Sequence, residues 1–408
     1  MIEHRPEAST SAVTLRHTSW TAPPRRPLRA LERCQLVIRD RSRGRSSAAR
    51  HDPRSRFMLQ AFAVLTAILS TLVPTSGAAV TCQQTETGWR KPPEEVMAVL
   101  HAPQLPSVWT APTGRHLLLA DPVVYPPLAE LAGPMHVLAG MRVDPTTNDT
   151  HGRHGATSPR IIPVEGGAEI PLALPKDVEV HGVSWTVDGQ RFALTTRHAD
   201  HMGLWVGSVR GDLKEIEGVA VNRLLGTGVR WMPDQQRLLV RRVPKRGPPP
   251  KAPAIPAGPE ILEGEGASAR STYESRNLLE TAHDDALFSY YATSEFVVVD
   301  AGNGAVKALG EPAVYASSDV SPDGKFLLVA RLEGPWSHAV PWWRFARKVE
   351  VWDEQAKPVA TLASLPLADE VPIHGVPLGP RDVAWRATAP HTLFWVEALD
   401  GGNPVAEA

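Results

Sequence analysis

The stretch DVSPDGKFLLVARL, residues 319–332, and the segment KVEVWDEQAKPVATL, residues 348–362, decide the fold. The first stretch contains an apolar strand, a tight turn at Asp323-Gly324 and a second apolar strand, and the later segment supplies another strand. Aspartate followed by glycine gives the positive φ angle that a tight hairpin turn requires. The pattern predicts a small antiparallel sheet built from consecutive strands.

The same unit recurs along the chain, and a bulky residue precedes each turn. These residues are Trp109 before Thr113-Gly114, Trp185 before Asp188-Gly189, Trp231 before Pro233-Asp234, Val320 before Asp323-Gly324, and Trp385 in a final half-copy at 383–396. The repeat predicts an all-β protein, a β-propeller of four-stranded antiparallel blades, in which the bulky residue fills the space between neighbouring sheets. Because only four fairly complete blades are recognisable, the propeller is predicted to be incomplete, with unpaired strand edges.

Composition and charge favour a globular protein that does not bind nucleic acid. The 408 residues are 42% hydrophobic and 21% charged, and the 39 Pro and 31 Gly suit many short strands joined by turns. The net charge of -1 combines a strongly basic segment at 1–56 with a mildly acidic remainder. We find no sustained basic stripe with interleaved aromatic residues in that remainder, which argues against nucleic acid as a partner.

Residues 1–57 are predicted to form a disordered, Arg-rich leader. They have no hydrophobic periodicity and are rich in Arg, Ser, Ala and Pro. The segment is interpreted as non-native coding upstream of a true start at Met58, or as simple disorder. A basic nucleic-acid arm and an organelle transit peptide are the alternatives.

Residues 58–79 are predicted to be a signal peptide for export to the periplasm or the medium. The segment has no charge, its apolar run is short for a membrane span, and small residues follow Pro74. Cleavage is expected near Ala78 or Ala79, and an uncleaved membrane anchor at 58–79 is the alternative. Any membrane contact is expected only through this segment.

The two cysteines exclude a disulfide inside the folded body. Cys34 lies in the leader and Cys82 directly after the signal peptide, so no cysteine-based metal site is expected either. The sequence before Cys82 is a poor match to a lipoprotein box, and whether Cys82 is lipidated stays open.

The mature body, 80–408, is predicted to be one partial propeller with two insertions. Residues 91–106 are expected to contain a short helix before the first blade, begun by two prolines and two glutamates. The first insertion, 125–149, predicts a short helix and an extended segment. The second contains a Pro-rich part at 243–272, a helix predicted from about Tyr273 to Glu280 and a strand at 296–300.

Six segments of the body resemble one group of peptidases. They are KPPEEVMAVLHAP, YPPLAELAGPMHVLAGMRVDPTTN, VPKRGPPPKAPAIPAGP, RSTYESRNLLETAHDDALFSYYATSEFVVVD, SPDGKFLLV and GPRDVAWRATAPHTLFWVEALDGGN. Together they resemble the amino-terminal half of the prolyl oligopeptidase family, in the branch of plant chloroplast glutamyl endopeptidase and its exported bacterial relatives. The resemblance covers roughly residues 88–404, and the Pro-rich loop with Tyr-Tyr-Ala-Thr-Ser at 290–294 is its most specific part.

The resemblance implies a propeller above a carboxyl-terminal α/β-hydrolase domain that cleaves peptides, after glutamate especially. A nucleophile elbow requires the pentapeptide G-x-S-x-G, and this sequence contains none. No catalytic or cofactor-binding residue is therefore assigned, and the chain is expected to be inactive alone. The expected partners are a peptide or protein substrate of the parent enzyme and, in a split gene, a separately encoded hydrolase domain.

Several clusters of polar or aromatic residues are interpreted as structural. His198-Ala199-Asp200-His201 offers two imidazoles for zinc but has no third ligand at a recognisable distance, so no metal site is predicted. The remaining clusters are His151 with His154 and His181, the acid pairs Glu94-Glu95 and Asp284-Asp285, the sequon Asn148-Asp149-Thr150, and Trp336 with Trp342 and Trp343. The tryptophans either form a binding face or pack against other parts of the protein.

Two hypotheses follow for function. The first is the propeller portion of an exported serine peptidase, separated from its catalytic half by truncation, a split gene or a frameshift. The second is a free-standing exported propeller that binds a peptide or a protein partner without catalysis.

Overall fold

The computed structural model describes residues 91–254, 275–371 and 374–403, and the backbone of two strands, β1 (Thr14–Thr18) and β2 (Arg33–Val37). The signal peptide expected at 58–79, Cys82 and part of the Pro-rich insertion at 243–272 lie outside the described residues. No helix in the described part of the chain is long and apolar enough to cross a membrane.

The segment 91–103 belongs to a unit of its own and contains the expected short helix, α1 (Glu94–Leu100). Pro93 precedes it, and Glu94 and Glu95 lie in the first turn, where negative charge is favourable. None of its residues is buried.

The first blade of the second unit contains four strands and an insertion. Its blade strands are β3 (Ser107–Thr110), β4 (His116–Pro122), β8 (Ala156–Pro163) and β9 (Ile170–Pro171). The insertion between β4 and β8 contains a short helix and a separate three-stranded sheet: α2 (Leu128–Leu131), β5 (His136–Leu138), β6 (Met141–Asp144) and β7 (Asp149–Thr150).

In each of the next three blades four antiparallel strands pair in chain order, and the second blade is joined to β8 of the first through one residue pair, Val180 with Ala156. The second blade contains β10 (Glu179–Trp185), β11 (Arg191–Arg197), β12 (Met202–Ser208) and β13 (Leu213–Glu215). The third contains β14 (Val229–Trp231), β15 (Arg237–Arg242), β16 (Ser294–Asp300) and β17 (Val306–Ala313), with helix α3 (Ala282–Ala292) before β16. The fourth contains β18 (Tyr315–Val320), β19 (Phe326–Leu332), β20 (Arg347–Asp353) and β21 (Pro358–Leu365).

The last sheet begins with the half-copy predicted from the sequence, β22 (Arg381–Trp385) and β23 (Leu393–Glu397). β1 pairs antiparallel with β23, and β2 pairs with β1, so this sheet also has four strands. The two strands differ from the disorder expected for 1–57. An unpaired edge such as that of β23 offers a row of backbone groups to any extended segment, which is the physical reason such pairing is favourable.

The cores lie between consecutive sheets, as a propeller requires. Side chains of β15 alternate between two of them: Leu238 and Val240 pack towards the second blade, and Leu239 packs towards the fourth. On β19, Leu327 faces the third blade, whereas Leu328 belongs to the core shared with the last sheet. Because both faces of these strands are buried, they appear in the sequence as continuous apolar runs.

Contacts between first strands and between turns place the blades in chain order. β10 lies against β14, and β18 against β22, so these first strands are neighbours across blades. Near the turns, Val187 donates its N–H to Gln235 Oε1 at 2.7 Å, linking the second and third blades. His391 Nδ1 lies 3.0 Å from Asp323 Oδ2, linking the fourth blade to the last sheet.

One helix prediction was wrong. The helix expected from about Tyr273 to Glu280 begins later, because Thr281 and Asp284 form a capping box: the Thr281 side chain accepts from Asp284 N, and the Asp284 carboxylate accepts from Thr281 N at 2.9 Å. The described residues before Thr281 are not helical. The strand predicted at 296–300 is confirmed as the greater part of β16.

Candidate functional site: an arginine-lined cleft

A cleft of about 950 Å³ lies between the insertion of the first blade and the first strands of the second and third blades. His181 to Ser184 on β10 and Gly226 to Arg230 at the start of β14 form one side. Gly140 to Arg142 and Thr150 to Arg153, from the insertion, form another. The cleft is therefore bounded by the first strands of two neighbouring blades and by the insertion of the first blade.

The lining is strongly basic. Four arginines, Arg142, Arg153, Arg223 and Arg230, contribute to it, and no Asp or Glu is among the described residues that line it. Arg142 and Arg153 are exposed and have no carboxylate partner in the described part of the chain. Fixed positive charge in a concave surface raises the local concentration of anionic groups.

Arg223 is held beneath this surface by a buried ion pair. Its Nη1 lies 3.6 Å from Asp149 Oδ2, and the two side chains are 13% and 6% exposed. Burial lowers the pKa of Arg223, Asp149 opposes that effect, and the nearby charge of Arg153 adds to it. Nη1 of Arg223 is buried and has no hydrogen-bond partner at hydrogen-bond distance in the described structure.

Arg230 on β14 is already paired. Its Nη1 donates to Asp319 Oδ1 on β18 at 2.6 Å, and this ion pair connects the third and fourth blades. Burial raises the pKa of Asp319, and the charge of Arg230 acts in the opposite direction. The unpaired basic charge of the cleft therefore comes mainly from Arg142 and Arg153.

The Tyr-Tyr-Ala-Thr-Ser block connects the insertion and the third blade behind the cleft. The carbonyl oxygen of Tyr291 accepts from Asn148 Nδ2 at 3.1 Å and from Asn222 Nδ2 at 2.9 Å. The guanidinium of Arg246 lies 3.7 Å from the centre of the Tyr290 ring, and Arg246 Nη2 donates to Asn148 Oδ1 at 2.6 Å. These contacts hold the block against the insertion and against the first residues of the Pro-rich segment.

The same geometry assigns the predicted sequon a structural role. Asn148 is 6% exposed, and both ends of its amide are hydrogen-bonded, so it is not accessible for modification.

The histidines that are close in the sequence do not form one cluster in the structure. His154 Nδ1 lies 3.4 Å from Glu130, and His181 Nε2 lies 3.3 Å from Glu179. His151 and His181 both line the cleft, although His151 does not join a metal cluster among the described residues. His198 and His201 lie together at the other end of the second blade's hairpin, next to a carboxylate that the sequence did not suggest, Glu215.

The paired acids and the tryptophans have mostly structural partners. Asp284 caps α3, and Asp285 Oδ1 lies 2.9 Å from His338 Nε2. Trp336 and Trp342 pack against the core that contains α3, Trp343 is 53% exposed, and both Trp342 and Trp343 line the cleft. Of the two interpretations left open for the tryptophans, packing applies to Trp336 and Trp342, and a surface position applies to Trp343.

Comparison with known proteins identifies two similar plant sequences. The chain is 32% identical over 338 residues to a probable chloroplastic glutamyl endopeptidase of Oryza sativa subsp. japonica, covering 78% of this chain and 36% of that protein. It is 36% identical over 341 residues to the Arabidopsis thaliana protein of the same name, covering 79% and 35%. The chain thus spans about a third of the length of these curated relatives. No family model matches it.

Solved structures with similar folds include two proteins from Pyrococcus. The acylaminoacyl peptidase of Pyrococcus horikoshii matches with a TM-score of 0.35 and 13% identity, over 64% of this chain and 32% of that chain. The β-propeller domain of the Trilobed protease from Pyrococcus furiosus matches with a TM-score of 0.34 and 10% identity, over 64% and 58%. A putative TolB of Agrobacterium tumefaciens has a TM-score of 0.31 and 13% identity, over 72% and 90%.

Strand order and the cores between sheets define the class of protein as a β-propeller. The plant relatives supply the family and confirm the resemblance predicted from the residues. The chain belongs to the prolyl oligopeptidase family, in its glutamyl endopeptidase branch, and represents the amino-terminal propeller of that family.

Proposed function

We propose that this chain is the non-catalytic propeller portion of an exported, glutamyl-endopeptidase-like serine peptidase, truncated before its α/β-hydrolase domain. The observation that carries the proposal is the 32–36% identity with two proteins named glutamyl endopeptidase, of which the chain spans about a third. The chain itself contributes substrate admission and no bond cleavage.

The basic cleft supports a role in admitting acidic peptides. Arg142 and Arg153 present unpaired positive charge in the cleft. The cleft has a volume of about 950 Å³, which is large enough for several residues of an extended peptide. A peptide bearing glutamate side chains is attracted there by long-range electrostatics, and that attraction weakens as salt is added.

The coding DNA that follows the codon for Ala408 tests the truncation. The proposal predicts a hydrolase sequence with G-x-S-x-G downstream, in the same frame, in another frame or in an adjacent gene that encodes the domain separately. If none of the frames or neighbouring genes encodes such a sequence, the truncated-peptidase proposal fails.

Export is proposed from residues 58–79 and is tested separately. Mass spectrometry of the protein from periplasm or medium is expected to give a mature amino terminus at Ala79 or Val80, directly after the predicted cleavage site. Recovery of the uncleaved chain from the cytoplasm alone would contradict export without affecting the family assignment.

A free-standing peptide-binding module is the second candidate, because the exposed arginines of the cleft all lie in this chain and can bind a peptide without a hydrolase domain. Fluorescence anisotropy of a labelled hexaglutamate peptide measures binding, with a neutral hexaglutamine peptide as a control. The double variant Arg142→Gln/Arg153→Gln is expected to weaken binding at least tenfold, whereas Arg210→Gln, an exposed arginine outside the cleft, leaves it unchanged. Equal affinity in both variants would exclude the cleft as the peptide site.

A further inference from the structure

The turn between β11 and β12 brings two histidine rings together at one end of the second blade. His198 donates its backbone N–H to the carbonyl oxygen of His201 at 2.9 Å, which closes the turn directly after the last strand pair, Arg197 and Met202. The two rings stack with centroids 4.5 Å apart and planes inclined by 17°. The hairpin itself therefore fixes the distance between the imidazoles.

The next strand supplies a carboxylate on the same face. Glu215, the last residue of β13, is paired in register with Trp205 on β12. Its Oε1 lies 3.7 Å from His198 Nε2, and one ligand atom from each of the three residues falls within 4.8 Å of the others. The three side chains are partly exposed, so an ion can reach them from solvent.

Two further contacts shape this cluster. Asp200 Oδ1 accepts from His201 Nδ1 at 2.7 Å, which leaves His201 Nε2 available as a ligand and orients the ring as carboxylates do around metal-binding histidines. Gly203 lies beneath the other ring, and a Cβ atom there would be 2.5 Å from His198 Nε2, so only glycine leaves room for that ring. The Thr196 hydroxyl, 3.0 Å from the same nitrogen, can rotate aside about one bond.

We propose that His198, His201 and Glu215 bind one Zn²⁺ ion, with water as the fourth ligand. Two imidazoles and a carboxylate are the ligands that zinc prefers in three-ligand sites. Zinc–ligand bonds of about 2.0–2.2 Å in a tetrahedron place donor atoms roughly 3.4 Å apart. The observed 3.7 Å between His198 Nε2 and Glu215 Oε1 needs only a small side-chain rotation to reach that value.

The ion would fasten the outer strand of the second blade to its hairpin turn. β13 has only three residues and is the edge strand of its sheet. A bond from Glu215 through zinc to both histidines ties this short edge to the turn between β11 and β12, which limits opening of the blade from its outer side. The site is independent of the peptidase proposal, because it uses no residue of the arginine-lined cleft.

Calorimetry and hydrogen exchange on the full chain test the site. After treatment with EDTA and dialysis, the protein is titrated with zinc chloride, and exchange is followed in peptides that span 197–204 and 213–216. We expect one high-affinity site in this region, slower exchange in both peptides, and at least tenfold weaker binding in His201→Ala and in Glu215→Gln. His101→Ala removes an exposed histidine elsewhere and is expected to leave the affinity unchanged.

Both variants alter partly exposed side chains, and circular dichroism checks that each remains folded. Zinc-dependent protection of 197–204 in the unmodified chain gives a readout that does not depend on the variants. Absence of that protection, or undiminished affinity in His201→Ala and Glu215→Gln, would overturn the proposal.

Discussion

Two of the tryptophans that precede a turn have a second function beyond filling space between blades. Trp231 Nε1 donates to the carbonyl oxygen of Ser184 in the preceding blade at 2.9 Å, and Trp385 Nε1 donates to that of Asp319 at 2.9 Å. Ser184 and Asp319 occupy the same position in their own units, one residue before the bulky residue. The sequence predicted the packing, but the hydrogen bond depends on the orientation of the next blade and could not be read from the repeat.

Removing this indole N–H is expected to loosen the contact between the second and third blades. Trp231 is 7% exposed and its hydrogen bond to Ser184 is partly buried, so Trp231→Phe removes a donor and leaves a small gap, at a cost of about 1–3 kcal/mol in the free energy of unfolding. Trp343→Phe, at a position that is 53% exposed, is the control and should change stability by less than about 0.5 kcal/mol. Urea unfolding measures both, and equal effects would contradict the interblade role.

Tyr315 predicts how stability depends on alkaline pH. The residue is 2% exposed, its hydroxyl donates to the carbonyl oxygen of Glu311, and burial raises its pKa to about 12. In the unfolded chain this pKa is about 10. The folded state therefore retains a proton that the unfolded state releases, so this contribution is fully present below pH 10 and is lost as the pH rises towards 12.

Urea unfolding of the chain and of Tyr315→Phe between pH 8 and 11.5 isolates that contribution. The difference in free energy of unfolding between the two proteins is expected to be constant up to about pH 10 and to shrink above it. Curves that remain parallel over the whole range would show that Tyr315 titrates alike in both states.

At the scale of the element, the turns of successive blades contact one another. Gly114 and Gly189 occupy equivalent turn positions with φ angles of 68° and 64°. A Cβ atom on Gly189 would be 2.8 Å from Thr113 Oγ1 and 3.2 Å from Ala111 Cβ, whereas a Cβ atom on Gly114 meets nothing within 4 Å. Alanine substitutions at these two glycines therefore distinguish two destabilising effects: strain of the left-handed backbone, which both share, and a clash with the first blade, which only Gly189 would have.

Gly114→Ala is expected to cost about 1–2 kcal/mol, from backbone strain alone. Gly189→Ala adds a clash with the first blade and should cost about 1–3 kcal/mol more. Thermal or urea unfolding of both variants measures the difference. Equal destabilisation would mean that the two turns do not touch in solution.

Strands were predictable from the sequence, and most irregular elements were less so. The Asp-Gly turns and apolar runs fix β10, β11, β18 and β19 locally, because turn chemistry and burial on both faces act within a few residues. The start of α3 was predicted about nine residues too early, since the capping box at Thr281 outweighs the preceding sequence. Glu215 was not predicted as a neighbour of His198, because only the pairing of β12 with β13 brings them together.

The cleft, likewise, was only partly predictable from the sequence. Arginine residues are visible in the sequence, but Arg142 and Arg153 come from an insertion and Arg230 from the third blade, and only the arrangement of the blades places them on one surface. The family resemblance, by contrast, could be recognised from local segments such as Tyr-Tyr-Ala-Thr-Ser, whose backbone holds the insertion through Asn148 and the segment before β14 through Asn222.

At the scale of the whole molecule, four blades and a final sheet follow one another in chain order, each sharing a core with the next. The final sheet contains four strands: β22 and β23 belong to the repeat, and β1 and β2 complete the sheet. The repeat thus accounts for the blades of the propeller, whereas the insertion in the first blade completes the cleft.

The central proposal, that this propeller portion does not itself break peptide bonds, is tested by incubating the purified chain with an internally quenched peptide that contains glutamate. A fluorophosphonate probe, which labels activated serines, is applied in parallel, and labelled material is mapped by mass spectrometry. We predict cleavage no faster than in buffer and no label on any serine of this chain. Cleavage accompanied by a label mapped to one of its own serines would contradict the account.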